Sequence, residues 1–324
     1  MRAIQIISPG GPEALTYTEI AIPTPGPGEA LVRVEACGVN FIDVYLREGR
    51  YPHPLPFTLG QEAAGVVTAL GESTADSEIK VGDRVVWCSI MGTYAEFAVA
   101  PVSRLVHVPD GVTSKEAAAA MLQGMTAHYL ADATYPIQSG DQILIHAGAG
   151  GVGLLLTQIA KSLGARVFTT VSTEEKAALS RAAGADEVIL YTQEDFAAKV
   201  KSLVNGPGLN AVYDSVGKTT FEASLSCLRP RGMMVLYGGS SGAVPPFDLI
   251  RLSTMGSLFV TRPKLGDYTA TREELESRAG EILHAVGNGT LKLRIEHAHP
   301  LAEAAQAHRD LEGRKTTGKI LLIP

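Results

Sequence analysis

The sequence predicts an α/β fold in which a doubly wound parallel sheet is inserted into a β-rich domain. Three observations predict it. Residues 142–153 read QILIHAGAGGVG, a strand-forming run that ends in a full G-x-G-x-x-G, Gly148-Ala149-Gly150-Gly151-Val152-Gly153. An apolar helical segment follows at once, with Leu154, Leu155, Leu156, Ile159 and Ala160. Strand, glycine turn and helix is the context in which this pattern signals dinucleotide binding, because glycine lets the backbone approach a pyrophosphate and the helix start offers free N–H groups. Residues 123–266 alternate strand and helix, and their strands are continuously apolar, as parallel strands covered on both faces are. Residues 1–122 read as strands punctuated by Gly and Pro, and a last strand, KILLIP, closes the chain.

In chain order, AIQII, ALVRVEAC, EAAGVVTAL, VGDRVVW and TYAEFAVA are the strand candidates of the first part. NFIDVYLR (residues 40–47) is a short helix candidate, and Thr113-Ser114-Lys115-Glu116 reads as a capping box opening an alanine-rich helix. The inserted part then runs QILIHA, a helix from Val152 to about Leu163, RVFTTV, a second capping box at Ser172-Thr173-Glu174-Glu175, and EVIL. A helix over 193–204, AVYDSV, a helix over 218–228, MMVLYG and SLFVT complete six strands with helical crossovers. Residues 267–324 carry a helix after Thr271-Arg272-Glu273-Glu274, a strand near 294–299, a helix over 301–312 and KILLIP. A terminal strand sharing a sheet with the N-terminal part would make 123–266 an insertion between 1–122 and 267–324.

Composition bounds the function. The chain has 324 residues, 45% hydrophobic and 19% charged, enough for two cores. A net charge of −6 argues against a general binder of nucleic-acid backbone, and no long uncharged apolar run suits a membrane span. MRAIQIISPGGPEAL lacks a signal-peptide core, and Cys37, Cys88 and Cys227 are too widely spaced for a disulfide framework or metal knuckle, which points to the cytoplasm. Cys37 reads as a buried small residue.

GGPEAL, VRVEACGVNFIDVYLREGRYP, LGQEAAGVV, VGDRVV, HAGAGGVG, YDSVG, SSGAV and VTRP stand in an order that resembles the medium-chain dehydrogenase/reductase superfamily over essentially the whole chain. Within it the chain is similar to the zeta-crystallin-like quinone oxidoreductases that use NADPH, close to their bacterial members. The resemblance implies a GroES-like catalytic domain with an inserted Rossmann domain. It also implies a homodimer joined through the Rossmann domains, and nicotinamide and quinone held in a cleft between domains.

Alcohol dehydrogenases of the superfamily hold catalytic zinc through a cysteine, a histidine and a third ligand. Asn40 stands at the cysteine position and Gln61 at the histidine position, and neither amide is a usual zinc ligand. Without a Lewis acid the substrate must accept hydride readily, as a quinone or an α,β-unsaturated carbonyl does. The strand RVFTTV ends in Val171 and Ser172 rather than in the acid that binds the ribose hydroxyls of NAD, and Glu174 and Glu175 suit the start of the next helix. The resemblance assigns Lys176, Tyr191 and Arg314 to the 2′-phosphate of NADPH; taken alone, Lys176 and Arg314 would be solvated charges.

The same resemblance sets Asn40, Tyr45 and Tyr51 beside nicotinamide and quinone as the catalytic set, with Asn40 and Tyr45 also contacting the cofactor. It adds Ser215, Tyr237, Gly238, Val260 and Arg262 to a cofactor site already holding Gly148, Gly150, Gly151, Val152, Gly153 and Ser172. Strand ends are where open α/β sheets bind ligands, although Tyr237 suits a core role almost as well and the tyrosines of 45 and 51 suit surface packing. His146 reads as packed rather than catalytic. Three functions follow as alternatives: an NADPH-dependent quinone oxidoreductase, an alkenal or enone reductase on the same scaffold, and a non-enzymatic relative that binds NADPH or AU-rich RNA. The acidic balance counts against the RNA reading.

Overall fold

A computed structural model describes residues 1–75 and 77–324. They form two compact units, residues 1–125 with 269–324, and residues 126–268.

The first unit opens with β1 (Arg2–Ile6) and β2 (Leu15–Glu19), an antiparallel pair. Then come β3 (Glu29–Val39), α1 (Phe41–Arg47), β4 (Phe57–Thr58), β5 (Glu62–Leu70), β6 (Arg84–Cys88), β7 (Phe97–Pro101) and β8 (Val106–His107). Helix α2 (Ser114–Tyr129) leads out of this run; Thr113 Oγ1 accepts from Glu116 N and Glu116 Oε2 accepts from Thr113 N, so the expected capping box forms. The strand expected over TYAEFAVA begins only at Phe97, because Ala95 bridges β1 at Ala3 and turns the chain there.

The second unit holds β9 (Gln142–Ile145), α3 (Gly151–Ser162), β10 (Arg166–Val171), α4 (Glu174–Ala182), β11 (Glu187–Leu190), α5 (Phe196–Leu203) and β12 (Leu209–Asp214). It continues with α6 (Phe221–Leu225), β13 (Leu228–Leu236), α7 (Ile250–Thr254) and β14 (Phe259–Thr261). The six strands pair in parallel in the order β11-β10-β9-β12-β13-β14. That order reverses direction at β9, so the C-terminal ends of β9 and β12 flank the switch point at which such sheets bind ligands. Leu144, Phe168, Ile189, Val212 and Met234 bury one face under the helices.

Two details differ from expectation. Helix α4 is capped by Thr173, whose Oγ1 accepts from Lys176 N at 3.3 Å, so the capping box of Ser172 with Glu175 does not form. Ser172 is still part of the strand exit, where its carbonyl accepts from Thr192 Oγ1 at 2.9 Å. The helix expected over 218–228 shrinks to α6, because Asp214 draws the preceding residues into a turn: its Oδ1 accepts from Val216 N and Gly217 N, and its Oδ2 from Thr220 Oγ1.

The chain then returns to the first unit. Helix α8 (Arg272–Gly287) starts at a capping box of Thr271 with Glu274, and β15 (Ile295–Pro300), α9 (Ala304–Glu312) and β16 (Lys319–Ile323) follow. Strand β16 pairs antiparallel with β3, setting Ile320 opposite Val39 and Leu322 opposite Cys37. The terminal strand thus lies inside a seven-stranded sheet, ordered β15-β16-β3-β5-β6-β8 with β7 also on β3. Alternate residues of β3 (Ala30, Val32 and Val34) meet Trp87, Tyr94, Leu105 and Leu322 in one core.

Candidate active site

In the second unit the glycine loop joins β9 to α3. Gly150 caps α3 in extended conformation, and Gly151 and Val152 are its first residues, half exposed. A Cβ on Gly153 would overlap the carbonyl oxygen of Ala147 and come within 3.1 Å of Gly148 Cα. One on Gly148 would lie 2.6 Å from Thr169 Cβ. The glycines are therefore required by close approach, the left-handed residue of the turn being Ala147 at φ 54°. A twelve-residue helix presents its N-terminus here, a site that favours phosphate.

His146, next in the chain, is buried. Its Nδ1 meets Thr170 Oγ1 and its Nε2 meets Ser224 Oγ, both at 2.8 Å, and burial lowers its pKa. It is a packed histidine.

At the end of β10 no carboxylate follows Val171; Ser172 is half exposed and Lys176 lies in the first turn of α4. Tyr191 N donates to Val171 O at 3.2 Å, which brings the exposed Tyr191 beside the end of β10. Ser172, Lys176 and Tyr191 thus share one corner of the sheet. The ends of β12 and β13 are joined similarly: Gly238 N donates to Asp214 O, and Ser240 N to Ser215 O. Arg262, exposed after β14, donates to Leu236 O at 2.9 Å, while Val260 is exposed on the sheet's edge strand.

Tyr237 and Arg262 also act on Tyr129, which stacks on Tyr268 with ring centroids 4.3 Å apart; burial raises the Tyr129 phenol above its ordinary range, and Arg262 opposes the rise. Tyr129 and Tyr268 escape the sequence reading because nothing local marks two tyrosines so far apart as partners. A glycine cradle, a helix N-terminus and a ribose corner with a lysine in place of an acid together fit a 2′-phosphorylated dinucleotide.

In the first unit Asn40 caps α1. Its backbone N–H donates to Asp43 Oδ2 at 2.9 Å. Helix α1 is tied down by a buried chain of polar groups: Arg47 donates to His308 and, bidentate, to Glu312 at 2.9 and 2.7 Å. Since Arg47 can only donate, His308 Nδ1 accepts and its Nε2–H faces Tyr94 Oη at 3.3 Å; Tyr94 in turn donates to Asp43 Oδ2 at 2.9 Å. Burial pushes the Asp43 carboxyl up to about 7 and the His308 imidazole down to about 3. Tyr45, nearly buried, lies between the guanidinium of Arg50, 5.1 Å from its ring centroid, and Tyr51, whose ring centroid is 6.0 Å away. Tyr51 is 44% exposed. The three residues expected to form the catalytic set therefore share α1 and the turn after it.

The Asn40 side chain meets groups that the sequence reading left out. Its Nδ2 donates to Glu62 Oε2 at 2.8 Å, and its Oδ1 accepts from Lys319 Nζ at 2.8 Å. Lys319 also donates to Glu62, and both side chains are essentially buried. Glu62 Oε1 accepts from Leu122 N at 2.5 Å. Glu62 follows the half-buried Gln61 on β5, and Lys319 opens β16. Among the described residues no three His, Cys, Asp or Glu side chains cluster as a metal site. Cys37, in the same neighbourhood, is buried, donates to Thr93 O, and has its thiol pKa raised by burial. Arg314 lies in the turn between α9 and β16, exposed and left-handed at φ 56°.

Known proteins resemble both units. Residues 26–110 match the family model described as an alcohol dehydrogenase GroES-like domain, and residues 151–276 match that of a zinc-binding dehydrogenase. A quinone oxidoreductase of Pseudomonas aeruginosa is 46% identical, the match covering 100% of this chain and 99% of that protein. The solved Escherichia coli quinone oxidoreductase complexed with NADPH is 42% identical with a TM-score of 0.97, covering all of both chains. A 2-haloacrylate reductase of a Burkholderia species is 42% identical over 97% of this chain and 96% of that protein.

Proposed function

The chain belongs to the quinone oxidoreductases of the medium-chain dehydrogenase/reductase superfamily, and on that premise we propose that it reduces a quinone with NADPH and without zinc. The observation that carries the zinc-independent reading is the set of partners around Asn40. An amide, a carboxylate and an ammonium answer one another there, and an ammonium is a poor neighbour for a metal cation. A substrate reduced at such a site must accept hydride without Lewis-acid help, and a quinone does.

NADPH supplies the hydride when bound. Gly148, Gly150, Gly151, Val152 and Gly153 hold its pyrophosphate, and Ser172, Lys176, Tyr191 and Arg314 its 2′-phosphorylated ribose. Ser215, Tyr237, Gly238, Val260 and Arg262 line the remainder of the cofactor site. Asn40, Tyr45 and Tyr51 orient the reactants, and an amide N–H or phenol steadies the quinone oxygen as negative charge develops on it. Orientation supplies most of the acceleration. A quinol anion is a weak enough base to take its proton from water, so no dedicated donor is required.

The reading extends to a homodimer in the cytoplasm. Strand β14 is one of the two edges of the six-stranded sheet, β11 being the other; Phe259 and Val260 on it, with Leu249 and Ile250 nearby in the chain, are exposed apolar side chains. A second copy would continue the sheet across that edge. The three cysteines are buried and unpaired, in keeping with a reducing compartment.

The 42% identity to a 2-haloacrylate reductase favours one alternative, reduction of a carbon–carbon double bond conjugated to a carbonyl. Initial rates with NADPH on 1,4-benzoquinone and on 2-chloroacrylate separate the two. Higher kcat/KM for the quinone is expected, and the reverse order replaces the first reading by the second.

A further inference from the structure

Glu62 and Lys319 carry opposite charges in a place where neither side chain reaches water, and no motif of the cofactor site uses them. Three strands and a helix converge to make the contact. Lys319 comes from β16, Glu62 from β5, Asn40 from the end of β3, and the backbone of Leu122 in α2 satisfies the second carboxylate oxygen. Room for the pair is provided by Gly38. A Cβ at that position would overlap Glu62 Oε2 and stand 2.7 Å from Lys319 Nζ.

Asn40 has two chemically different ends, and the pair distinguishes them. An ammonium can only donate, so it selects the amide oxygen, and a carboxylate selects the amide nitrogen. Reversing the amide would set Nδ2 against Nζ and Oδ1 against Glu62. Gln123 Nε2 lies 3.4 Å from the same Oδ1, but an amide can offer either end, so the charged pair alone makes the choice. One Nδ2 hydrogen is committed to Glu62, while the other has only a long contact with Gly38 O at 3.3 Å.

We propose that Lys319 and Glu62 are a positioning pair for the reaction: they hold the Asn40 amide in a single orientation so that one of its N–H groups is kept for cofactor or substrate. This rests on the reading that Asn40 faces the reactants. Lys319 and Glu62 touch neither reactant and act through Asn40. The charge of the pair, rather than its bulk, sets the orientation, so an apolar replacement of similar volume can preserve the fold and still release the amide.

The test is a cycle of Asn40→Ala against the joint variant Lys319→Met with Glu62→Leu, which leaves no lone buried charge. NADPH affinity is read by fluorescence titration, folding by thermal melting, and kcat with 1,4-benzoquinone. The expected result is a folded joint variant that turns over on the order of 10²-fold more slowly and whose NADPH affinity falls no further than that of Asn40→Ala. In the Asn40→Ala background the joint change should cost no further turnover, because the pair then has nothing to orient. Restoring the charges as Lys319→Arg with Glu62→Asp should recover part of the rate. Parental kcat in the joint variant overturns the proposal, and so do losses that multiply with Asn40→Ala. If Asn40→Ala itself keeps the parental rate, the reading of Asn40 falls and the proposal with it. A slow Asn40→Ala beside a fast joint variant defeats the pair alone. Should the joint variant not fold, Lys319→Gln with Glu62→Gln, which retains volume and neutral hydrogen bonds, is measured in its place against the same outcomes.

Discussion

Lys176 shows how one side chain can be read twice. It occupies the third residue of α4, where its positive charge opposes the helix dipole, so helix stability does not explain it. At the end of β10 beside it stand Ser172 and Tyr191, and no acid directly follows Val171. A charged hydrogen bond to a phosphate contributes about 1.5–3 kcal/mol, so Lys176→Ala should raise the KM for NADPH by roughly ten- to a hundredfold and leave that for NADH nearly unchanged. Steady-state kinetics with both cofactors decide it, and equal changes would make Lys176 a solvated charge. Asn40 and Gln61 stand out at this scale by type, since neither amide is a usual zinc ligand. Glu62 and Lys319 do not. They lie 257 residues apart, and only the folded sheet makes neighbours of them. Removing either alone would strand a buried charge, at a cost of about 3–5 kcal/mol.

The elements of the second unit were legible because each strand-to-helix switch carries its own chemistry: glycines after β9, a hydroxyl cap before α4, Asp195 before α5. Boundaries were less so. The cap of α4 moved by one residue, and α6 lost most of its length to the Asp214 turn, a side-chain-to-backbone competition that hydropathy does not register. The glycine turn gives the sharpest consequence. At Gly153 alanine would be the better helix former by about 1 kcal/mol, yet its Cβ would press on the Ala147 carbonyl. Overpacking of this kind costs roughly 1–3 kcal/mol, so Gly153→Ala should lower the melting temperature and weaken NADPH binding together. Thermal melts with and without NADPH measure both, and an unshifted melt would mean that the turn has slack.

Over the whole molecule, the sheet of the second unit ends at an apolar edge. If β14 joins a second copy, Phe259→Lys should convert the protein to a species of the monomer mass, 34.1 kDa, with its far-ultraviolet circular dichroism unchanged. Light scattering during size-exclusion chromatography checks this, and an unaltered mass would move the interface elsewhere. The first unit, by contrast, closes its sheet with the chain's own last strand. Lys319 opens β16, which lies between β15 and β3 rather than at a margin. During synthesis, residues 126–268 are all available to one another before that strand exists. In residues 1–125, β3 has β5 and β7 beside it early, but must wait for residues 319–323 before it gains β16 and Asn40 its ammonium. A chain cut before residue 319 therefore keeps every residue of the phosphate cradle but lacks the lysine that answers Asn40.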